Sequence, residues 1–314
     1  MSKQAAVQPP TAGMGSIDLK ELRGRGPLLQ AYRATLEVFQ RDRLALAGAV
    51  IYVIFVLLAV LGPLIAPYGP QEVIQEKGVW LANRSPSGEF PLGTTNLGRD
   101  IFSQLIYGSR TALLVGFSAA VAVTLIGTLV GLLAGYFGRW LDAGLMRLAD
   151  IAFGIPFLPF VIVLVAFLRP SVWNVVFAMA LLLWRDTARV IRAQVLTIKE
   201  RGFVEAAKVS GASHSRILFS HIAPSVLPLS FLYGSVAVGW AILTEASVSF
   251  LGFGDPNTIS WGFMLQDAFV SQALSHKAYY WIIPPGVAIM LSVMAAFFIG
   301  RGFEEVLFPR LRRT

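Results

Sequence analysis

Long apolar runs alternate with short polar segments along most of the chain. The long apolar stretches that contain no Asp, Glu, Lys or Arg are 44–71, 111–138, 151–168, 170–184, 217–244 and 278–300. The hydrocarbon core of a bilayer is about 30 Å thick, which a helix crosses with about 20 residues at ~1.5 Å rise per residue. Four of the runs are long enough alone, and the two shorter ones are separated only by the neighbourhood of Arg169. The pattern predicts six transmembrane helices, with a tight hairpin between the third and the fourth.

The runs divide the chain into segments. We expect a cytoplasmic N-terminal tail (1–43) with a short amphipathic helix, a first transmembrane helix (44–66), an external loop (67–110), a five-helix core (111–303) and a basic cytoplasmic tail (304–314). Within the core, a cytoplasmic loop covers 199–224 and an external segment covers 251–278. The first apolar run begins after a long polar tail and is longer than a signal-peptide core, so it is interpreted as a membrane helix.

Basic residues predict the orientation of these helices. The chain has 314 residues, of which 55% are hydrophobic and only 14% charged, and its net charge is +8. With both termini in the cytoplasm, 20 of the 26 Lys and Arg residues lie on the cytoplasmic side, as the positive-inside rule requires. Topology therefore accounts for the charge. No soluble domain is present that would carry a basic patch, so a nucleic-acid partner is not expected.

Several chemistries lack their usual residues in this chain. There is no cysteine, which excludes disulfides, thiolate metal sites and cysteine nucleophiles. His214 and His221 are seven residues apart without neighbouring carboxylates, an unfavourable pattern for zinc. The motif G-x-x-x-x-G-K-[ST] is absent, so we expect the chain neither to bind nor to hydrolyse ATP. The expected site residues therefore include no catalytic, metal or cofactor-binding group.

Two patterns inside the apolar runs predict how the helices pack and bend. Gly127, Gly131 and Gly135 recur every four residues in the second run. On a helix they form one stripe that allows a neighbouring backbone to approach closely. Pro156 and Pro159 remove backbone hydrogen-bond donors from the third run, and we expect a bend there.

The polar segment EAAKVSGASHSRILFSHIAPSVLP separates the fourth and fifth runs. Just before and within it, Phe203, Val204 and Ala207 form a small apolar patch on a predicted helix. Gly211 supplies a break that residues with a side chain resist. Ser213 is suited to cap a second short helix. We expect two short helices joined at the glycine, forming a compact knob over residues 203–222.

The spacing of Glu-Ala-Ala, three residues, Gly, and Pro thirteen residues later resembles the coupling loop of membrane subunits of bacterial ABC importers. The resemblance implies that the knob sits in a cleft of a separate ATPase and moves with it. Glu205 would be the polar contact, and the alternative is a solvated acidic residue in a first helical turn. The residues assigned to ATPase coupling are Phe203, Glu205, Ala206, Ala207, Gly211, Ile217 and Pro224.

The external loop ends in PLGTTNLGRD. Gly93, Gly98, Arg99 and Asp100 resemble the Leu-Gly-Thr-Asp-x-x-Gly-Arg-Asp pattern that precedes the second span of peptide-type permeases. Thr95 stands where that pattern has Asp. Arg99 and Asp100 are explained either by a local turn and helix start or by contacts between subunits.

The string LTEASVSFLGFGDPNTISWGFML follows the fifth run. It resembles the peptide and nickel permease branch, whose pattern reads Glu-Ala-Ser-Leu-Ser-Phe-Leu-Gly and later Ser-Trp-Gly. Glu245, Ser247, Ser249 and Trp261 are therefore candidates for an external gate or the substrate path. A carboxylate at membrane depth is costly, which makes Glu245 a functional candidate. The alternative is a structural role, bonded to backbone amides or to a basic residue of a sister subunit.

These resemblances cover roughly residues 40–310 and point to C-type subunits of the dipeptide, oligopeptide and nickel permeases. They imply an all-α, six-helix type I ABC importer permease in the cytoplasmic (inner) membrane of a bacterium, importing peptides by alternating access. Nickel chelates, glutathione and opines are alternative substrates. The implied partners are a sister permease in a heterodimer, two P-loop ATPases that use ATP and Mg²⁺, an external solute-binding protein and membrane lipid.

Two other classes fit less well. An intramembrane enzyme requires a nucleophile with its base or a metal motif, and neither G-x-S-x-G nor H-E-x-x-H occurs. A secondary transporter usually carries internal repeats and several intramembrane ionisable groups, and the sequence shows neither. Both classes also leave the segment 205–224 unexplained.

Overall fold

The described part of the chain is helical apart from one short hairpin. A computed structural model describes residues 42–307, and side chains as far as residue 304. The predicted amphipathic helix of the N-terminal tail and the last basic residues lie outside this range. The helices are α1 (Arg43–Ile65), α2 (Ile101–Phe137), α3 (Arg139–Gly154), α4 (Phe157–Leu168), α5 (Val172–Ile198), α6 (Gly202–Val209), α7 (His214–Phe250), α8 (Trp261–Val270) and α9 (Tyr279–Leu307). The strands are β1 (Gln75–Glu76) and β2 (Val79–Trp80).

Four described helices are long and apolar enough to cross a membrane, namely α1, α2, α7 and α9 as far as Glu304. The bent pair α3 and α4 counts as a fifth if it forms one span. The fourth predicted span corresponds to α5, which has 27 residues. Arg185, Asp186, Arg189 and Arg192 interrupt the apolar surface of its second half. The architecture is thus helical with four or five apolar spans by length and composition, and the sixth predicted span stays a prediction.

The bend predicted from the prolines is present. α3 and α4 meet at an angle of 88°. Ile155 precedes a proline and has an extended backbone (φ −89°, ψ 124°), as the steric demand of the following ring requires. Pro156 is the N-cap of α4. The third apolar run is therefore divided between two helices.

The glycine stripe of α2 lies against α5, which confirms the close approach of a neighbouring backbone that the spacing predicts. A Cβ atom built at Gly127 would lie 2.6 Å from the Cβ of Thr187, and one at Gly135 would lie 2.7 Å from the Cβ of Val195. At Gly131 it would lie 2.7 Å from the carbonyl oxygen of Ala188. These distances are shorter than van der Waals contact, so the two backbones approach as closely as only glycine permits.

Three buried clusters follow one another through the helices. The first joins α1, α2, α7, α8 and α9 and includes Trp261 and Trp281. The second joins α2, α4, α5 and α7 around Met179. The third joins the end of α2 and the end of α5 to the start of α7, and Ile217 belongs to it. The knob is thus continuous with the apolar interior of the bundle.

The external loop contains a hairpin and the start of a helix. Lys77 and Gly78 connect β1 to β2 and both have positive φ (51° and 78°), as the two-residue turns of tight hairpins require. α2 begins at Ile101, ten residues before the second charge-free run. The helix has 37 residues, and its first turns mix apolar and polar residues ahead of Arg110.

Candidate functional site

The two short helices of the knob are joined as the sequence predicts. α6 ends in a Schellman motif, in which the amide of Gly211 donates to Lys208 O (3.0 Å) and that of Ala212 donates to Ala207 O (3.1 Å). Gly211 has φ +77°, a conformation that favours glycine. Ser213 caps α7, and its hydroxyl oxygen accepts a hydrogen bond from the amide of Arg216 (3.4 Å).

One side of the knob is buried within the chain. Val204, Ile217, Leu218 and Ile222 are at most 2% exposed and pack together in the third cluster. A π-helical turn over Ile217–Ile222 connects the knob to the rest of α7. Ile217 therefore holds the two helices together rather than facing outwards, and a direct contact of its side chain with a partner is not available in this conformation.

The opposite side of the knob is exposed and partly apolar. Val209 is 85% exposed, Phe219 57% and Phe203 45%. The other exposed coupling candidates are Glu205, Ala206, Gly211 and Pro224. Burying apolar surface gains about 25 cal/mol per Å², so this combination is suited to a protein contact. Sequence reasoning missed Val209 and Phe219, although both are apolar residues in a polar segment.

Polar contacts fasten the knob and its supporting helices to the bundle. The hydroxyl of Tyr136 on α2 lies 2.9 Å from Nδ1 of His214. Nζ of Lys199 donates to the carbonyl oxygen of Gly135 (3.0 Å). These contacts connect the knob and the end of α5 to the end of α2.

A row of arginines on α5 fastens α3. Arg192 binds Asp142 through two hydrogen bonds of 2.5 and 2.6 Å. Arg189 pairs with Asp150 at 2.5 Å, and its guanidinium lies 4.0 Å from the centre of the Phe153 ring. These contacts make α3 and the second half of α5 a connected unit.

The external motif forms a local turn that starts α2. The hydroxyl oxygen of Thr95 accepts hydrogen bonds from the amides of Leu97 and Arg99, both at 3.2 Å. Asp100 is the N-cap, and its carboxylate accepts from the amide (2.8 Å) and the hydroxyl (2.6 Å) of Ser103. Thr95 thus makes the contacts that an Asp could make there. For Arg99 and Asp100 the geometry favours the turn and helix start.

Gly93 and Gly98 have positive φ (72° and 71°) in tightly packed surroundings. A Cβ at Gly93 would lie 2.4 Å from Arg84 O and 3.0 Å from the ring of Tyr280, and one at Gly98 would lie 3.1 Å from Ile74 O. The loop therefore packs on itself and on the start of α9.

Glu245 is buried near the C-terminal end of α7 and is 5% exposed. The hydroxyl of Ser249 donates to its Oε1 (2.6 Å), and Ser260 also hydrogen-bonds to it. Ser260 is the N-cap of α8 and accepts from the amide of Phe263 (3.2 Å). The carboxylate thus ties α7 to α8 and faces no open space in this conformation. The hydroxyl of Ser247 donates to Leu243 O (2.8 Å) within α7.

Trp261 is a buried packing element between α2 and α7. Its Nε1 donates to the carbonyl oxygen of Leu105 (3.0 Å), and its ring fills the space beside Gly108, where a Cβ would lie 2.6 Å from Cδ1. A Cβ at Gly262 would lie 2.4 Å from Ala246 O. The Ser-Trp-Gly motif therefore packs the start of α8 tightly against α2 and α7.

The chain resembles known membrane transport proteins. Residues 127–313, more than half of the chain, match the family described as binding-protein-dependent transport system inner membrane component. The chain belongs to this family. Residues 32–85 match the N-terminal TM domain of oligopeptide transport permease C. The protein is a permease subunit of an ABC importer and a multi-pass component of the inner membrane.

The permease aligns with similar proteins over almost its whole length. It is 34% identical to the dipeptide transport system permease protein DppC of Alkalihalophilus pseudofirmus. The alignment spans 282 residues, or 90% of each of the two chains. The permease is 33% identical to the oligopeptide transport system permease protein OppC of Bacillus subtilis, over 91% of this chain and 92% of the relative. The glutathione transport system permease protein GsiD of Pectobacterium atrosepticum is 33% identical, over 87% and 89%.

Proposed function

We propose that the permease is one half of the transmembrane pore of an ATP-driven importer for dipeptides or oligopeptides. Its partners would be a sister permease in a heterodimer, two P-loop ATPases that bind ATP and Mg²⁺, and an external solute-binding protein. The substrate class is supported by relatives named for dipeptide and oligopeptide transport that match about nine-tenths of the chain. Transport would proceed by alternating access.

The knob would couple this pore to the ATPases. The observation that supports this role most directly is its two-sided surface. Val204 and Ile217 are buried in the chain's own interior, whereas Val209 and Phe219 are exposed. A rigid body with an apolar outer face can be pushed and pulled by a partner without unfolding. Coupling requires that the partner contact differ between two conformations.

The proposed topology has six spans and both termini in the cytoplasm, as in the type I permease fold. To the four apolar helices α1, α2, α7 and α9 this topology adds two spans. One is α5, and the other is the bent pair of α3 and α4, of which α4 lies in the membrane. α5 has 27 residues, which at ~1.5 Å each is longer than the bilayer core. This topology places the knob, the pairs between α3 and α5, and most Lys and Arg residues on the cytoplasmic side, in agreement with the positive-inside rule.

Glutathione is a second candidate substrate. A relative named for glutathione transport is 33% identical over 87% of the chain, close to the values for the dipeptide and oligopeptide relatives. Glutathione is itself a small peptide-like solute with a free amino group. Nickel chelates and opines remain alternatives from the family resemblance alone.

Purification of the assembled complex in mild detergent tests the proposed subunits. We expect mass spectrometry to find two ATPases, a sister six-span protein and this chain in stoichiometric amounts. Recovery of this chain alone, from a preparation that preserves another membrane complex, would contradict the proposal. Uptake of labelled dipeptide and of labelled glutathione by vesicles that contain the reconstituted complex then shows which of the two is transported.

Two substitutions in the knob test coupling. We expect Glu205→Lys and Gly211→Leu to reduce peptide uptake by at least about tenfold while the chain still inserts into the membrane. The first reverses an exposed charge, and the second forces a side chain into a positive φ. The matched controls are Glu89→Lys on the external loop and Gly211→Asn, because Asn tolerates this conformation. Full uptake by both Glu205→Lys and Gly211→Leu would refute a coupling role.

A further inference from the structure

A groove with a volume of about 360 Å³ opens between α5 and α7, over α2 and beside α4. None of the motifs described above contributes to it. Its lining combines aromatic and charged groups. The residues used below are Arg185 and Asp186 of α5, and Tyr233 and Trp240 of α7.

Asp186 has an exposed side chain although the proposed topology places it inside the membrane. In the six-span topology α5 enters the membrane at Val172, and its first charged residue is Arg185, after 13 uncharged positions. That length covers only about 20 Å of a core of ~30 Å, so Asp186 lies within the hydrocarbon layer. Its side chain is 55% exposed. A carboxylate facing lipid tails costs several kcal/mol, so this face adjoins water or a polar ligand.

The two charged groups of the groove are incompletely paired. Arg185 is held by a hydrogen bond to Ala152 O and lies 4.4 Å from the centre of the Phe153 ring. Its Nε is buried and has no hydrogen-bond partner among the described residues. The same Nε lies 3.7 Å from Oδ2 of Asp186, which is beyond hydrogen-bond length. The carboxylate therefore retains acceptor positions on the groove side.

The aromatic lining completes a site for a positively charged group. Trp240 is 53% exposed although it lies well inside α7, far from the ends of that span where interfacial tryptophans are common. Tyr233 lies two turns earlier on the same helix. An ammonium is attracted by the face of Trp or Tyr and by a carboxylate through a charge-assisted hydrogen bond.

We propose that this groove is part of the substrate path, and that Asp186 and Trp240 receive the N-terminal ammonium of the translocated peptide. The inference rests on the proposed peptide import. The other occupant to consider is the sister permease. The centres of protein interfaces are depleted in charged residues, whereas this groove presents a half-exposed carboxylate beside an incompletely paired guanidinium. That chemistry favours a hydrated path over a subunit contact.

Cysteine labelling of the assembled importer tests whether the groove holds water. The chain has no native cysteine, so Asp186→Cys and Trp240→Cys each introduce one thiol that mass spectrometry of this chain can follow. The control is Val163→Cys on α4, which is 69% exposed but outside the groove. We expect a water-soluble methanethiosulfonate to modify both groove variants at least about tenfold faster than the control, because thiolates form only where water reaches. Equally slow labelling of all three would overturn the path assignment.

Transport kinetics test the ammonium contact. We expect Asp186→Asn to raise the KM for a dipeptide about tenfold, the usual effect of losing a hydrogen bond to a charged group. Asp186→Glu keeps the charge and should stay within about threefold. Asp150→Asn on α3 is the matched control. An unchanged KM in Asp186→Asn would overturn the contact. A wild-type complex that does not take up dipeptides would instead refute the proposed function.

Discussion

Thr95 shows how a residue can differ from the family pattern and keep its contacts. Its hydroxyl oxygen caps the turn at the amides of Leu97 and Arg99, which a carboxylate could also do. Ile217 and Glu245 show the converse, because each is a candidate for a contact outside the chain but is buried within it. Caps and turns are predictable from sequence because their partners are a few residues away. The burial of Ile217 and Glu245 depends on distant helices, which a single sequence does not reveal.

Asp267 on α8 predicts a pH dependence of stability. Burial raises the pKa of its carboxyl, and the nearby Arg99 partly opposes this. The folded protein therefore holds this proton more tightly than the unfolded chain. The stability that Asp267 contributes is fully present below its ordinary pKa of about 3.9, and it is lost as the pH rises through the raised value.

The measurement is the Tm of the purified protein from about pH 4 upwards, for the wild type and Asp267→Asn. We expect the wild type to lose stability relative to the variant as the pH rises through this window. Glu89→Gln, at an exposed position of the external loop, serves as control. If Tm changes with pH in the same way for the wild type and Asp267→Asn, Asp267 does not make the predicted contribution to stability.

At the scale of elements, the contact between α2 and α5 was the most predictable. Three glycines four residues apart indicated a close approach, and the structure shows which helix approaches them. The bend before α4 was equally local in origin, because Pro156 acts on its own neighbours. The start of α2 at Ile101 was indicated by the turn and helix start at Arg99 and Asp100. The charge-free run alone places this start ten residues too late, because Arg110 interrupts the uncharged sequence.

One added methyl group tests the stripe. We expect Gly131→Ala to destabilise the protein by about 1–3 kcal/mol, the usual range for overpacking, because the new Cβ meets the backbone oxygen of Ala188 at 2.7 Å. Gly144→Ala on α3 is the matched control, since its Cβ meets nothing within 4 Å. There alanine should be neutral or stabilising by up to ~1 kcal/mol. Thermal unfolding in detergent gives the comparison, and equal Tm values would rule out the close contact.

At the scale of the whole molecule, α5 decides the topology. Its first half is apolar, whereas its second half places arginines against α3 and Asp186 towards the groove. By hydropathy, therefore, α5 is not counted among the apolar spans. It nevertheless packs along α2, against the glycine stripe. Charged residues inside a span are tolerated where they are paired or face water. The sequence predicts α5 as a span from its uncharged half. Its charged half pairs with α3, a neighbour that is distant in the chain.

Single cysteines in the full-length chain test whether α5 crosses the membrane. We expect Pro170→Cys to react with a membrane-impermeant thiol reagent in intact cells, because it precedes α5 on the external side. Glu200→Cys follows α5 and should react only after permeabilisation. Gly88→Cys, in the external loop with no atom within 4 Å of its Cβ, is the positive control. Reaction of positions 170 and 200 from the same side would exclude α5 as a span.

The unbroken length of α7 has a mechanical consequence. The helix has 37 residues from His214 to Phe250, or about 55 Å at ~1.5 Å per residue. Near its midpoint Gly234 lies against Thr124, where a Cβ would be 3.0 Å from Oγ1. We propose that α7 pivots at this contact during the alternating access proposed above. A push on Phe219 would then displace Ser249 in the opposite direction, so that one side of the pore would open as the other closes.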